Sequence, residues 1–369
     1  MKSRAAVIYK ANEPLVVEEL DIDEPKFGEV RVKMAYAGLC HSDLHVMDGD
    51  VPVGMMPMAM GHEGSGVVES VGPGVSRIKP GDHVVLTFIP SCGKCRWCVS
   101  GMTQLCDLGA GILMGPQVDG TYRLHNGEGQ DVGQMCMIST FSEYTVVNQD
   151  SVCVIDKSYE LDVACLVGCG VATGFGAAVH RARVTPGSSV LVIGVGGIGM
   201  NVVQGAKASG ASIIIAADTN DKKLEWAKEF GATHTINPNK EDLVAKAIEL
   251  TNGVGVDFAF EAIATPPTIG QAFAAAGKGG TIVVIGLTPA TAETIPISPL
   301  MLVLLQKSIL GTLYGSSNPQ VEIPKLLGLH KHGQIKLNEL ITHVYKLDEV
   351  NEGYDDLLAG KNLRGVIKF

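Results

Sequence analysis

The N-terminal part of the chain, to about residue 150, alternates short apolar runs with Gly/Pro turns. Segments such as EVRVKMAYAG (29–38), GSGVVESVG (64–72) and DHVVLTF (82–88) show the β-branched alternation of strands with one buried face. Their spacing predicts an all-β partial barrel. The texture changes after about residue 171. SVLVIG (189–194) reads as a buried strand, a helical stretch runs from Gly197 to Ser209, and a second strand covers Ile213–Asp218. The helical pattern DKKLEWAKEFGA follows, then a strand in VDFAFEA, a helix near Thr268–Gly277 and a strand in GTIVVIGL. Strands alternating with helices predict a doubly wound parallel sheet. About the last 55 residues are mixed and polar, with VIKF as a closing strand. The expected organisation is α/β. A mainly-β domain spans residues 1–170 and 315–369, and a Rossmann-type domain over 171–314 is inserted into it. The Gly-rich stretch 107–133 reads as a long loop.

Composition narrows the class of function. A chain of 369 residues is long enough for two cores. With 46% apolar and 18% charged residues, it has the balance of a folded globular protein. The net charge of −10 argues against general binding to nucleic acid or anionic membranes. Apolar stretches such as Ile213–Ala217 and Leu300–Leu305 fall far short of the roughly 20 residues that span a bilayer. The N-terminus carries no signal-peptide pattern, so the expected location is the cytoplasm. In that compartment nine cysteines are expected to be ligands or thiols rather than disulfides. Cys136, Cys153 and Cys165 match no motif and read as buried thiols.

Gly194, Gly196, Gly197, Ile198 and Gly199 lie in G-V-G-G-I-G, a G-x-G-x-x-G pattern after a strand and before a helix. Asp218 lies 19 residues beyond Gly199, at the end of the next strand. Such glycines permit a tight turn and a close approach of backbone to pyrophosphate, whose charge faces the helix N-terminus. Asp218 would accept hydrogen bonds from ribose hydroxyls and repel a 2′-phosphate. NAD is therefore expected rather than NADP.

Cys92, Cys95, Cys98 and Cys106 place four thiols within fifteen residues. Tetrahedral zinc is the usual outcome of such clustering. Iron–sulfur ligation is the rival, but here the fourth cysteine comes too late and no proline follows it. Four protein ligands leave no open position, so this zinc would be structural. The segments Gly38–His45, Gly61–Glu63 and Gly168–Gly170 hold further good ligands. Cys40, His62 and Cys169 together would form a catalytic zinc shell with one open position. Spacing alone does not select these three.

The strings GLCHSDLH, GHEGSGVV, CGKCRWC, VGCGVATGFGA, GVGGIG and NLRGVIKF occur together and in order. Over essentially the whole length the chain resembles the zinc-containing medium-chain alcohol dehydrogenases, in the branch that includes the class III enzymes. The resemblance implies a GroES-like β domain carrying the zinc sites, an inserted Rossmann domain, and two zinc ions and NAD per chain. It implies that Cys40, His62 and Cys169 hold the catalytic zinc, with Glu63 as a transient ligand and Asp43 orienting His62. Ser42 would take the alcohol proton and His45 would pass it to solvent. His41 and Arg364 would contact the pyrophosphate, and Asp218 and Lys223 the adenosine ribose. Thr173 would pack near the nicotinamide, while Phe88, Met135 and Leu287 would line the substrate pocket. The implied partners are an alcohol and its aldehyde, and further copies of the chain in a homodimer or homotetramer.

Glutathione-dependent formaldehyde dehydrogenases of this branch carry an arginine four residues after the last structural-zinc cysteine. Ala110 stands there in this chain. The stretch from DLGAGILMG to QMCMISTFSEY is more similar to bacterial NDMA-dependent enzymes, nicotinoproteins in which NAD stays bound and is recycled by an external acceptor. Polyol and threonine dehydrogenases replace the third cysteine ligand by glutamate, so Cys169 argues against them. The expectation is a dehydrogenase of medium-chain or aromatic primary alcohols. The alternatives are glutathione-dependent formaldehyde oxidation and a non-enzymatic NAD-binding protein of the same fold.

Overall fold

A computed structural model describes every residue except Glu293. The chain divides into two compact units, Met1–Cys169 with Asn318–Phe369, and Gly170–Ser317. No helix among the described residues is long and apolar enough to cross a membrane.

The first unit contains a closed barrel of five short strands and a seven-stranded sheet. The central strand of that sheet, Glu29–Gly38, pairs antiparallel with Gly64–Val71, Tyr144–Asn148 and the C-terminal strand Arg364–Lys368. In that register Gly38 lies opposite Val366 and Ala37 lies opposite Gly64. Residues at both ends of the chain therefore meet at one end of Glu29–Gly38. The core of this unit draws Val30, Val32 and Met34 from this strand and Leu39, Leu44, Phe141, Tyr354 and Ile367 from around it. The glycine-rich 107–133 stretch differs from the expected plain loop. It contributes the strands Leu124–His125 and Asp131–Gln134 to the barrel. Strands this short show no periodicity, and the segment is fixed by Arg123 instead. That fully buried guanidinium donates to Glu29 at 2.6 and 2.8 Å and to Asp119 at 2.7 Å.

The second unit is a six-stranded sheet in which all neighbours run parallel. Its spatial order is His234–Ile236, Ile213–Ala217, Ser189–Ile193, Val256–Glu261, Ala276–Val284 and Ser308–Gly311. Counting from Ser189–Ile193, this is the 3-2-1-4-5-6 order of dinucleotide-binding sheets. Ser189–Ile193 is buried at every position, as a strand with both faces covered requires, and so its sequence is a continuous apolar run rather than an alternation. The strand Ala276–Val284 begins earlier than expected, taking over the end of the stretch anticipated as helix.

Candidate metal centre and dinucleotide site

Four residues from three distant segments converge in the first unit. Cys40 follows the strand Glu29–Gly38 and sits, with extended backbone, at the N-cap of the short helix His41–Met47. His62 and Glu63 precede the strand Gly64–Val71. Their approach depends on Gly61, which has φ +91° and leaves only 2.6 Å between a hypothetical Cβ and the Phe141 nitrogen. Cys169 is delivered by Gly168, where a Cβ would stand 2.6 Å from the Leu86 carbonyl oxygen. One ligating atom from each of Cys40, His62, Glu63 and Cys169 lies within 4.8 Å of the others, and all four residues are buried.

The electrostatics of this cluster fit a cation. The nearness of the two sulfurs draws the Cys40 thiol well below its usual value and pushes Cys169 well above it. His62 Nδ1 meets Asp43 Oδ1 at 2.8 Å, and Asp43 is wholly buried in the first turn of its helix. A carboxylate there fixes the proton on Nδ1 and leaves Nε2 as a lone-pair donor. His62 Nε2 is buried and has no hydrogen-bond partner. Two sulfurs, an imidazole nitrogen with an unused lone pair and an adjacent carboxylate form a donor set suited to zinc. Burial pushes Glu63 up to about 7 against the opposing pull of Arg364. The Arg364 guanidinium, itself buried, donates to Glu63 Oε2. A side chain at Gly38 would overlap Glu63 and crowd Arg364, so the glycine makes room for the pair.

The remaining expected residues of this unit lie around the cluster. Ser42 Oγ is 3.8 Å from the Cys40 sulfur. His45 lies one helical turn from the exposed His41, with their ring centroids 5.4 Å apart. Its Nδ1 meets Asp50 Oδ2 at 3.1 Å, a partner missing from the sequence-based set although it lies only five residues away. Phe88 stands edge-on to the His62 ring at 5.7 Å, and Met135 is buried in the neighbouring core.

The four-cysteine loop is a separate cluster whose sulfurs also lie within 4.8 Å of one another. Backbone N–H groups of Cys95, Cys98 and Cys92 donate to the sulfurs of Cys92, Cys95 and Cys106 at 3.4 to 3.5 Å. Cys95 is drawn down to about 6 by backbone hydrogen bonds at Asp107 and Cys98, while burial pushes Cys98 up to about 12. Cys136, Cys153 and Cys165 are buried thiols whose values burial raises.

In the second unit the glycine motif joins the strand Ser189–Ile193 to the helix Gly197–Ala208. Gly194 has φ +86°, and a Cβ on Gly199 would overlap the Gly194 carbonyl oxygen. A Cβ on Gly196 would meet nothing within 4 Å, so open space lies before the helix N-terminus. Ile198 is half-buried in the first turn. Asp218 accepts from the backbone N–H of Val195 at 3.1 Å and of Asn220 at 2.9 Å, which holds its carboxylate beside the glycine turn. Lys223 is half-buried on the helix Asp221–Phe230, Thr173 is buried on the helix Gly170–Gly176, and Leu287 is exposed. The turn, the open helix N-terminus and the acid at the adjacent strand end fit a dinucleotide.

The chain is similar to known proteins over its whole length. Residues 26–157 match the alcohol dehydrogenase GroES-like domain, and residues 197–331 match the zinc-binding dehydrogenase domain. The chain is 48% identical to the NDMA-dependent alcohol dehydrogenase of Amycolatopsis methanolica, covering all of this chain and 99% of that one. It is 44% identical to the S-(hydroxymethyl)glutathione dehydrogenase of Saccharomyces cerevisiae, covering 100% of this chain and 96% of that one. The crystal structure of benzyl alcohol dehydrogenase from Acinetobacter calcoaceticus superposes with a TM-score of 0.94 at 35% identity, covering 100% of this chain and 99% of that one. The chain belongs to the zinc-binding alcohol dehydrogenase family.

Proposed function

We propose that this chain oxidises a primary alcohol reversibly to its aldehyde, with zinc held by Cys40, His62 and Cys169 and with NAD as hydride acceptor. The observation that carries this reading is the buried, unpartnered His62 Nε2 clustered with the buried sulfurs of Cys40 and Cys169. When bound, the zinc supplies Lewis acidity toward the alcohol oxygen and the dinucleotide supplies the hydride chemistry. The chain's own residues do the rest. Asp43 holds His62 in the ligating tautomer. Ser42 accepts the alcohol proton, and His45 carries it onward with its ring fixed by Asp50. Glu63, engaged by Arg364, places a carboxylate beside the ligands. Gly194, Gly196, Gly197 and Gly199 shape the pyrophosphate cradle, Asp218 takes the ribose hydroxyls and Lys223 lies near them.

Phe88 and Met135 give the first unit an apolar contribution near His62, which suits medium-chain or aromatic alcohols. Ala110 is exposed in the turn Asp107–Gly111 and offers no cation for a glutathione carboxylate. The cysteine cluster Cys92–Cys106 is proposed to hold the structural zinc. Nine free cysteines, six of them in the two ligand clusters, favour a reducing, cytoplasmic setting. A homodimer or homotetramer is favoured by the helix Pro299–Leu304, which buries no residue and exposes Leu300, Val303 and Leu304 in the connection to the outermost strand Ser308–Gly311.

The similarity to an NDMA-dependent enzyme adds a kinetic expectation. The purified chain should show the absorbance of bound reduced nicotinamide and turn over primary alcohols with an artificial acceptor. Efficient turnover only with freely exchanging NAD would overturn the bound-cofactor part of the proposal. A panel of primary alcohols left untouched under both conditions would overturn the substrate class.

A further inference from the structure

A second pair of buried polar groups lies one layer behind His62. Asp43 uses Oδ1 for the His62 ring, but its Oδ2 is buried and has no hydrogen-bond partner. Tyr354, on the helix Val350–Leu358, is 2% exposed, and its hydroxyl is also without a hydrogen-bond partner. The phenol faces Asp43 without a closed hydrogen bond between them. Burial first, and then the charges of Asp43 and Cys40, push it well above its usual value, so it keeps the proton it can donate.

Its position is fixed from several sides. A side chain at Gly353 would overlap Leu39, so the helix packs directly on the residue preceding Cys40. Asn351 clamps the Leu15 backbone through two hydrogen bonds, at 3.0 and 2.9 Å. Phe141 meets the Tyr354 ring at 6.3 Å, close to edge-on. A phenylalanine would fill the same apolar volume. The hydroxyl is thus the one part of this side chain that packing does not explain, since a buried phenol normally finds a partner.

We propose that Tyr354 is a positioning residue for the metal ligand His62, donating its hydroxyl to the free oxygen of Asp43. This rests on the zinc assignment to Cys40, His62 and Cys169. A carboxylate that orients a metal-bound imidazole carries its charge in a buried site, and each donor it gains stabilises that charge. The phenol and Asp43 then form one chain of hydrogen bonds ending at the metal ligand. The helix Val350–Leu358 thereby sets the pose of a residue nearly 300 positions earlier in the sequence.

The test uses zinc-loaded full-length Tyr354→Phe beside the parent chain, with zinc release to a chelator followed at both cysteine-containing sites. Changes behind a metal ligand typically weaken binding by about 10- to 100-fold. Tyr354→Phe is expected at the lower end of that range for the Cys40 site, with release from the four-cysteine site unchanged. Cobalt placed at the Cys40 site should show a shifted visible spectrum in the variant. In an Asp43→Asn background the same substitution should have little further effect, because both changes act on one hydrogen-bond chain. Parent-like release and an unchanged cobalt spectrum would overturn the role of Tyr354 alone. A parent chain that binds zinc only at the four-cysteine cluster would overturn the zinc assignment, and this inference with it.

Discussion

Replacing Cys169 by alanine should reduce alcohol turnover by roughly 10⁴-fold while leaving NAD affinity close to that of the parent. Zinc that polarises an oxygen contributes several kcal/mol to the barrier, and each factor of ten in rate corresponds to about 1.4 kcal/mol. Removing one sulfur leaves Cys40 and His62 as the principal donors. Two ligands with an oversized opening do not retain zinc against competing chelators, so zinc content should fall from two ions to one. The glycine turn and Asp218 lie in a different compact unit, Gly170–Ser317, where Asp218 accepts from Val195 and Asn220. Steady-state turnover, metal analysis and a direct NAD titration check the three parts. A variant that keeps both turnover and two zinc ions would contradict the assignment of Cys169 as a ligand.

Replacing Cys98 by alanine should have the complementary effect of a large loss of stability. The loop it anchors has little apolar material of its own. Ile89, Cys98 and Cys106 are its buried cluster, with Phe88, Cys92, Cys95 and Leu108 packed at the side. Thiols as different as Cys95, drawn down to about 6, and Cys98, pushed up to about 12, are brought to a common thiolate state by a metal. Structural zinc contributes folding energy directly, with apparent values of roughly 10–16 kcal/mol in small peptides. Loss of even about 3 kcal/mol would lower the melting temperature by roughly 6–12 °C in a unit of this size. Calorimetry together with limited proteolysis should show an early transition and cleavage within residues 92–106. The Cys169→Ala chain should not be cleaved there. An unchanged melting temperature and an intact loop would mean that the cluster is held together without metal.

The two outcomes mirror what the sequence does and does not express. The parallel sheet is legible because its strands are buried on both faces and its glycine turn has a fixed spacing, from Gly194 to Gly199. The cysteine loop is legible because its ligands are neighbours in the chain. The Cys40 cluster is different. Cys40 and His62 meet because Glu29–Gly38 pairs with Gly64–Val71, Cys169 joins them where Gly168 packs on Leu86, and no local pattern encodes those approaches. Family resemblance, rather than spacing, joined these residues in advance. Arg364 was anticipated only as a pyrophosphate contact, whereas here it is buried against Glu63, a partner 301 residues away. Asp50 was within reach of simple reasoning, since it lies just past the helix that carries His45. Tyr354 was not, because a tyrosine in an amphipathic helix reads as ordinary core. The strands within 107–133 are illegible for a similar reason, being two and four residues long and fixed by the buried Arg123 network rather than by an apolar stripe.

The central claim is that alcohol oxidation takes place at the zinc held by Cys40, His62 and Cys169. The most direct test measures zinc content and turnover together while a chelator strips the full-length chain and zinc is then returned. Turnover should rise in proportion to filling of the Cys40 site, with the four-cysteine site already occupied. Full turnover with zinc at the four-cysteine cluster alone would contradict the account.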